Sequence, residues 1–283
     1  MQINCFGDSL TAGTAWGNKL SYPAVLAGLT GMKVNNYGVG GESSFTVASR
    51  IGAQPLKLMN PVAIPAEAGC EILVELGDVF GQPSGVLYQV QEDTGDDCIN
   101  PVSLCGVDGR LIRRADSLYF ERQEPGMEVT AKEGSLVVTR LSKGDYSGDI
   151  NIFWAGTNDH ASTDNAVAVI ANLKAMIDFT GSDKYIVIGL TALCLMPQVT
   201  EVNAMLSEVF GEHFYNVRSY ILGLDIIKEN NPFYNQDKED ARKGEIPASY
   251  MKAPRFDHIH CNEKFYALLG AQLYDKLKRL SYI

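Results

Sequence analysis

Three observations predict an α/β protein with a parallel sheet, helices on both faces and an inserted all-β module. Strand and helix signals alternate at both ends of the chain; hydroxyl, glycine and amide residues punctuate the strand ends; and the middle changes to short β-type runs between turn residues. In this reading residues 1–53 and 148–283 form one discontinuous domain and residues 54–147 a second. With 283 residues, 46% of them hydrophobic, the chain can bury a full core.

Residues 2–6 read as the first strand, running into Gly7-Asp8-Ser9-Leu10-Thr11-Ala12-Gly13. A strand that ends in a serine on a tight turn puts the hydroxyl and its backbone N–H at the carboxyl edge of a sheet, where open α/β sheets keep their sites. Gly7 and Gly13 are expected to let the backbone turn on either side. Ser21-Tyr22-Pro23 opens a helix that stops at Gly31. Residues 33–37 form the second strand, and the glycine-rich turn from Asn36 to Ser44 leads into a helix reaching about Ile51. No Lys follows these glycines as a phosphate loop requires, and their spacing is not that of a dinucleotide site.

Between 54 and 147 the β-type runs are 72–76, 86–91, 118–122 and 136–140. This block holds 15 acidic and 8 basic residues, so most of the chain's acid excess lies here. Residues 149–154 resume as a buried strand ending in Ala155-Gly156-Thr157-Asn158-Asp159-His160. Thr163 is expected to cap a helix whose apolar face is Val167, Ile170, Leu173 and Ile177. Residues 184–190 form a further strand, followed by the apolar loop Leu193-Cys194-Leu195-Met196-Pro197. A helix over 200–210 closes at Gly211, and 214–217 is the last strand of the sheet. Beyond Asp225 the chain reads as polar and irregular until Arg255-Phe256-Asp257-His258-Ile259-His260 in a late loop. Asn262 then caps a helix with Phe265, Leu269, Leu273 and Leu277 inward.

The formal net charge of −10 argues against nucleic-acid or anionic-membrane surfaces, which need clustered Lys and Arg, and suits a small neutral substrate. No apolar run reaches membrane-spanning length. Met1-Gln2 lead straight into a strand, so the expected location is cytoplasmic unless a leader has been removed. The six cysteines Cys5, Cys70, Cys98, Cys105, Cys194 and Cys261 lack zinc spacing and read as reduced thiols; Cys98 and Cys105 alone are close enough in sequence to raise a disulfide.

Parallel strands end at one edge, so Ser9, the turn at 38–41 and Asn158 should converge. His260 is the candidate base for Ser9, and Asp257, three residues earlier, can accept the other ring N–H. Without Ser9 the pair is more simply a structural histidine and a helix-start acid. His258 competes for the role of base but has no acid at the same offset. A tetrahedral intermediate needs donors aimed at its oxyanion. The Ser9 N–H, a glycine N–H of the second turn and the Asn158 amide could supply them. The four histidines show neither HExxH nor Cys/His spacing, so no metal or cofactor is expected. Candidate walls of the substrate site are Trp16, Leu195 and Met196 of the 193–196 loop, and Phe233, Tyr234, Tyr250 and Met251 of the segment 232–256.

Gly7-Asp8-Ser9-Leu10, the Asn36 to Gly41 turn, Gly156-Thr157-Asn158-Asp159 and Asp257-His258-Ile259-His260 resemble, in order, the four blocks of the GDSL or SGNH hydrolases. The resemblance covers about residues 1–53 and 148–283. It implies a flavodoxin-like three-layer α/β/α fold and hydrolysis of O-acyl esters of lipids, carbohydrates or other small alcohols. Carried over residue by residue, it makes Ser9 the nucleophile, Gly41 the glycine donor, Asn158 the amide donor, His260 the base and Asp257 the acid behind it. Cys261 stands where such proteins more often have proline or leucine. The expected activity is therefore a serine esterase acting on a carbohydrate or small-molecule O-acetyl ester, ahead of a lysophospholipid or lipid ester. The competing expectation is a non-catalytic protein that binds a glycan or partner through residues 54–147. That block lies outside the resemblance, and its roots are expected towards the far end of the sheet. It reads as a separate module for glycan binding, partner binding or self-association.

Overall fold

A computed structural model describes residues 1–78, 84, 99–223 and 232–283. The expected strand at 86–91 and Cys98 lie outside these residues; Cys105 carries a free, exposed thiol 3.3 Å from Ser135 Oγ. The chain divides into two compact units, Met1–Ser44 with Tyr146–Ile283, and Phe45–Asp145. These boundaries differ from the expected 53/54 and 147/148. Tyr146 belongs with the outer unit because its ring meets Phe6 edge-on at 5.4 Å and its carbonyl accepts from the Asn151 amide at 3.2 Å.

The outer unit is built on five strands: β1 (Ile3–Gly7), β2 (Val34–Gly38), β3 (Ile150–Trp154), β4 (Tyr185–Ile188) and β5 (Phe214–Tyr215). All pairs are parallel and the spatial order is β2-β1-β3-β4-β5, the flavodoxin-like order. The order reverses between β1 and β3, so the crevice at their carboxyl ends is the place where such a sheet holds ligands. Register sharpens this: Gly7 lies opposite both Gly38 and Trp154. The three turns that follow β1, β2 and β3 therefore start level with one another.

Alternation along the strands separates two buried faces. Ile3, Cys5, Ile150, Ile152, Trp154, Ile186 and Ile188 share one core with Leu26 of α2 (Tyr22–Thr30) and Phe265, Leu269, Leu273 and Leu277 of α8 (Glu263–Arg279), all four of these being fully buried. On the other side, α4 (Ala166–Thr180) and α5 (Val199–Phe210) pack with each other and against β3 and β5. Two helices, a sheet and two helices make the three layers.

Several expectations shift. Asn165, not Thr163, precedes the first turn of α4, and its buried face is Ala166, Val169, Ile170, Leu173 and Met176; Val167 points to solvent. β5 stops at Tyr215 and Val217 already begins α6 (Val217–Gly223). The stretch read as polar and irregular contains α7 (Tyr234–Lys243). Its buried residues are Asp237 and Asp240, whose carboxylates accept the Ser249 and Ala248 N–H groups, each at 2.9 Å. A helix anchored by acids shows no apolar stripe. The late loop is a hairpin, β6 (Met251–Ala253) antiparallel to β7 (Asp257–Cys261).

The middle unit carries a five-stranded antiparallel sheet in the order Val137–Thr139, Val102–Leu104, Val107–Arg114, Ser117–Arg122 and Glu71–Val74. Residues of Ser117–Arg122 alternate between half-buried and buried, and Leu118 and Phe120 join Ile64, Leu104, Leu111 and Val137 in a separate hydrophobic core. Among its described residues the unit is all-β apart from the short helices at its two ends: α3 (Ser44–Ile51), which begins on the last residue of the outer unit, and the turn Leu141–Lys143. Among the described residues no helix is long and apolar enough to cross a membrane.

Candidate active site

Ser9 opens the one-turn helix α1 (Ser9–Ala12) directly after β1. Asp8 caps this turn by accepting the Leu10 N–H at 2.8 Å. Gly7 is needed for close approach, not for an unusual φ: a Cβ there would run into the Trp154 carbonyl and the Thr11 hydroxyl. Burial pushes the Asp8 carboxyl up to about 7, against the pull of the Leu10 N–H and the Thr157 hydroxyl.

The hairpin delivers the base. Asp257 Oδ1 accepts the backbone N–H groups of Ile259 at 2.8 Å and His260 at 3.0 Å, which folds the start of β7 around the carboxylate. Its Oδ2 accepts His260 Nδ1–H at 2.7 Å. An ionised carboxylate only accepts, so the proton sits on Nδ1 and the Nε2 lone pair faces outward. Ser9 Oγ lies 2.9 Å from Nε2 and donates to it. The far end of β7 is pinned as well: Asn18 Nδ2 donates to the Cys261 carbonyl at 2.8 Å, while Asn262 caps α8 and holds the Ser249 and Met251 carbonyls. Residues from two distant parts of the chain, Ser9 on one side and Asp257 with His260 on the other, thus form one relay.

The second turn reaches the nucleophile through Gly40, where an added Cβ would come within 4.0 Å of Ser9 Cβ. Gly41 is exposed with φ 79°, a left-handed conformation that suits glycine. Asn158, in the single turn Thr157–Asp159 after β3, donates one amide N–H to the Glu42 carbonyl at 2.8 Å. An amide has two such donors, so the second is available to a ligand. The neighbouring Asp159 accepts from Ser44 N at 2.7 Å and Ser44 Oγ at 2.6 Å, and Asn172 Nδ2 donates to that Oγ at 2.9 Å. Burial pushes the Asp159 carboxyl up, and the two Ser44 donors oppose this. Asn158 and Asp159 together tie the glycine turn to the end of β3. The tie was not anticipated, although Asp159 sits beside Asn158 in the sequence.

The proposed walls divide. Met196 is fully buried, which makes it a packing residue, and Leu195 is half-buried. Tyr250 and Met251, at the start of the hairpin, are buried too. Tyr234 and Phe233 line an open hollow of about 800 Å³ that also touches His258. Trp16 falls in the turn Ala15–Gly17 after α1. Cys5 and Cys261 are buried, and burial pushes both thiols well up, so they stay protonated in the core.

No protein-family model and no curated protein matches the chain. Among solved structures, it is similar to a G-D-S-L family protein from Desulfitobacterium hafniense DCB-2, at 13% identity over 98% of this chain and 99% of that one, with a TM-score of 0.49. A member of the lipolytic protein G-D-S-L family from Veillonella parvula DSM 2008 gives 16% identity, 99% of each chain and a TM-score of 0.47. AlinE4, an SGNH-hydrolase family esterase, gives 15% identity over 81% of this chain and 83% of that one, with a TM-score of 0.36. At such scores likeness decides nothing about chemistry. The side chains at the sheet edge have to do that.

Proposed function

We propose that this protein is a serine hydrolase of the GDSL/SGNH type that cleaves O-acyl carboxylic esters, with a carbohydrate or small-molecule O-acetyl ester as substrate. The observation that carries the reading is the unbroken relay from Ser9 Oγ through His260 to Asp257, at 2.9 and 2.7 Å. In this mechanism His260 Nε2 takes the Ser9 proton as Oγ attacks the ester carbonyl. Asp257 keeps the ring in the required tautomer and stabilises the imidazolium that forms. The carbonyl oxygen becomes an oxyanion held by the Ser9 N–H, a glycine N–H of the 40–41 turn and the spare Asn158 N–H. Collapse expels the alcohol, which takes the proton from His260, and leaves an acyl group on Ser9. Water, deprotonated by the same nitrogen, then releases the acid and restores the serine.

A fluorophosphonate probe tests the nucleophile without knowledge of the substrate. One label per chain is expected in the native protein and none in Ser9→Ala. Labelling that persists in Ser9→Ala removes Ser9 from this role. A panel of esters varying acyl length and alcohol then reads specificity, with acetyl esters expected to be preferred.

A further inference from the structure

The glycine turn that offers the second oxyanion donor is anchored on both sides of Gly40 and Gly41. Before them, the Val39 N–H donates to the Gly7 carbonyl at 3.0 Å, which ties the start of the turn to the end of β1, two residues ahead of Ser9. After them, Asn158 Nδ2 donates to the Glu42 carbonyl at 2.8 Å, and the Asp159 carboxylate takes both donors of Ser44, the N–H at 2.7 Å and the hydroxyl at 2.6 Å. Consecutive side chains of the turn Thr157–Asp159 thus grip residues 42 and 44. The hydrogen bonds run in one direction. Asn172 Nδ2, on α4, donates to Ser44 Oγ at 2.9 Å, so the hydroxyl proton goes on to Asp159. An ionised carboxylate only accepts and has two oxygens, which lets it receive an N–H and an O–H from the same residue; an amide has one oxygen for the pair, and Ala has none. Bonds to a charged acceptor at these lengths are the stronger kind. Ser44 is fully buried, so loss of the carboxylate strands its N–H.

We propose that Asp159 is a positioning residue for the hydrolytic reaction: through Ser44 it fixes the far side of the Gly40-Gly41 turn, and so sets where the glycine N–H stands relative to Ser9 and the Asn158 amide. The inference rests on the serine-hydrolase reading above. Asp159 touches no reacting atom in this role. It acts through two neighbours, Asn158 in its own turn and Ser44 at the end of the other, and both lead to donors aimed at the same developing charge. Donors of that kind stabilise a transition state only when their positions are fixed beforehand, and a displacement of about 1 Å can cost on the order of 10²-fold in rate. The left-handed Gly41, with φ 79°, is the part of the turn that has no side chain of its own to hold it, which leaves its orientation to the anchors on either side.

The test measures hydrolysis of p-nitrophenyl acetate by the full chain, with rates normalised to fluorophosphonate-labelled Ser9 so that unfolded molecules do not count. Asp159→Ala should lower kcat and kcat/KM together, by about 10-fold to 10²-fold, with KM within about twofold. Asp159→Asn keeps an oxygen for the Ser44 N–H and should recover most of the loss. Ser44→Ala keeps the N–H and loses the hydroxyl, so it should cost about threefold to tenfold in kcat, and it replaces Asp159→Ala should that variant not fold. Placed on Asn158→Ala, Asp159→Ala should cost no more than about threefold further, because the donors it aligns are already compromised. A residue that only supported the fold would leave kcat per labelled serine unchanged. Near-native kcat in Asp159→Ala, or in Ser44→Ala where that variant stands in for it, overturns the proposal. So does a loss confined to KM, or losses that multiply in the double variant. Hydrolysis per chain that persists in Ser9→Ala removes the serine-hydrolase reading and this inference with it; hydrolysis that depends on Ser9 but is indifferent to Asp159 removes this inference alone.

Discussion

In the middle unit Arg110 reaches Glu121 at 2.9 Å on an open face of an antiparallel sheet, and Arg114 pairs with Glu71 in the same way. In the outer unit Ser9, His260 and Asp257 meet at the edge of a parallel sheet, where the Asp257 carboxylate also accepts the Ile259 and His260 backbone N–H groups. Both regions join polar side chains across strands at similar distances, yet they differ in what removal should cost. Exposed ion pairs are screened and contribute roughly 0–1 kcal/mol, and their loss leaves the sheet ladder intact. The relay has no replacement, because the end of a parallel strand supplies the hydroxyl and the antiparallel β6–β7 hairpin supplies imidazole and carboxylate at that one place. What separates the two regions is convergence.

The largest expected effect breaks that convergence. Ser9→Ala and His260→Ala should each lower kcat by about 10³-fold or more on an activated acetyl ester, and the double variant should be little worse than either single one. Asp257→Asn should also be severe, since an amide can donate to Nδ1 and turn the ring to the wrong tautomer. Near-native rates in folded Ser9→Ala, measured after removal of contaminating esterases, would end the assignment. Arg110→Ala in the middle unit is the matched control, with kcat expected within about twofold. Next in size, Asn158→Ala should lower kcat by about 10²-fold to 10³-fold with little change in KM, because its free N–H acts on charge that develops during the reaction. A change confined to KM would place Asn158 on the bound substrate instead.

The polar residues that converge were legible in the sequence because each sits at a strand end or beside a helix cap. Ser9 follows a run of buried residues, and Asn262 both caps α8 and fixes the strand that carries His260. What stayed hidden depends on contacts that no local pattern encodes. α7 buries Asp237 and Asp240 to hold the 248–249 turn, so its sequence has the composition of a loop. Met196 has the character of a pocket wall but is wholly covered by its own surroundings. Asn4, Asn35 and Asn151 lie level on three adjacent strands and bond to one another at 2.8 and 3.1 Å. An amide ladder of this kind, buried at Asn4 and Asn151, forms only once the register is set.

The comparison sharpens further if the middle unit is removed. We propose that it supplies no catalytic group, and that excising residues 55–145 with a short Gly/Ser bridge leaves kcat on a small activated acetyl ester within about tenfold. Tyr146 is kept in this design because of its packing on Phe6. A folded deletion variant that loses about 10²-fold in kcat would show that the block completes the site.

The smallest effect concerns how the two regions respond to pH. In the middle unit the Glu71 carboxyl is held below its usual range by the hydrogen bond from Arg114, at the protein surface. Beside the nucleophile the opposite holds: burial, with added repulsion from Asp159 and Glu42, raises Asp8 from 3.8 to about 7. A carboxyl that titrates higher in the folded state than in the unfolded one binds more protons when folded. Its unfavourable contribution is absent below about pH 4, grows between about pH 4 and 7, and is complete above about pH 7, where it amounts to a few kcal/mol. Asp8→Asn removes the charge while its carbonyl oxygen can still accept the Leu10 N–H, so the cap survives. The variant should therefore gain stability over the native protein at pH 8, and gain less at pH 5, in urea titrations run at both values. Equal gains at the two pH values would mean that Asp8 is neutral or solvated across the range, and that the cost of burying acid beside the nucleophile is carried elsewhere.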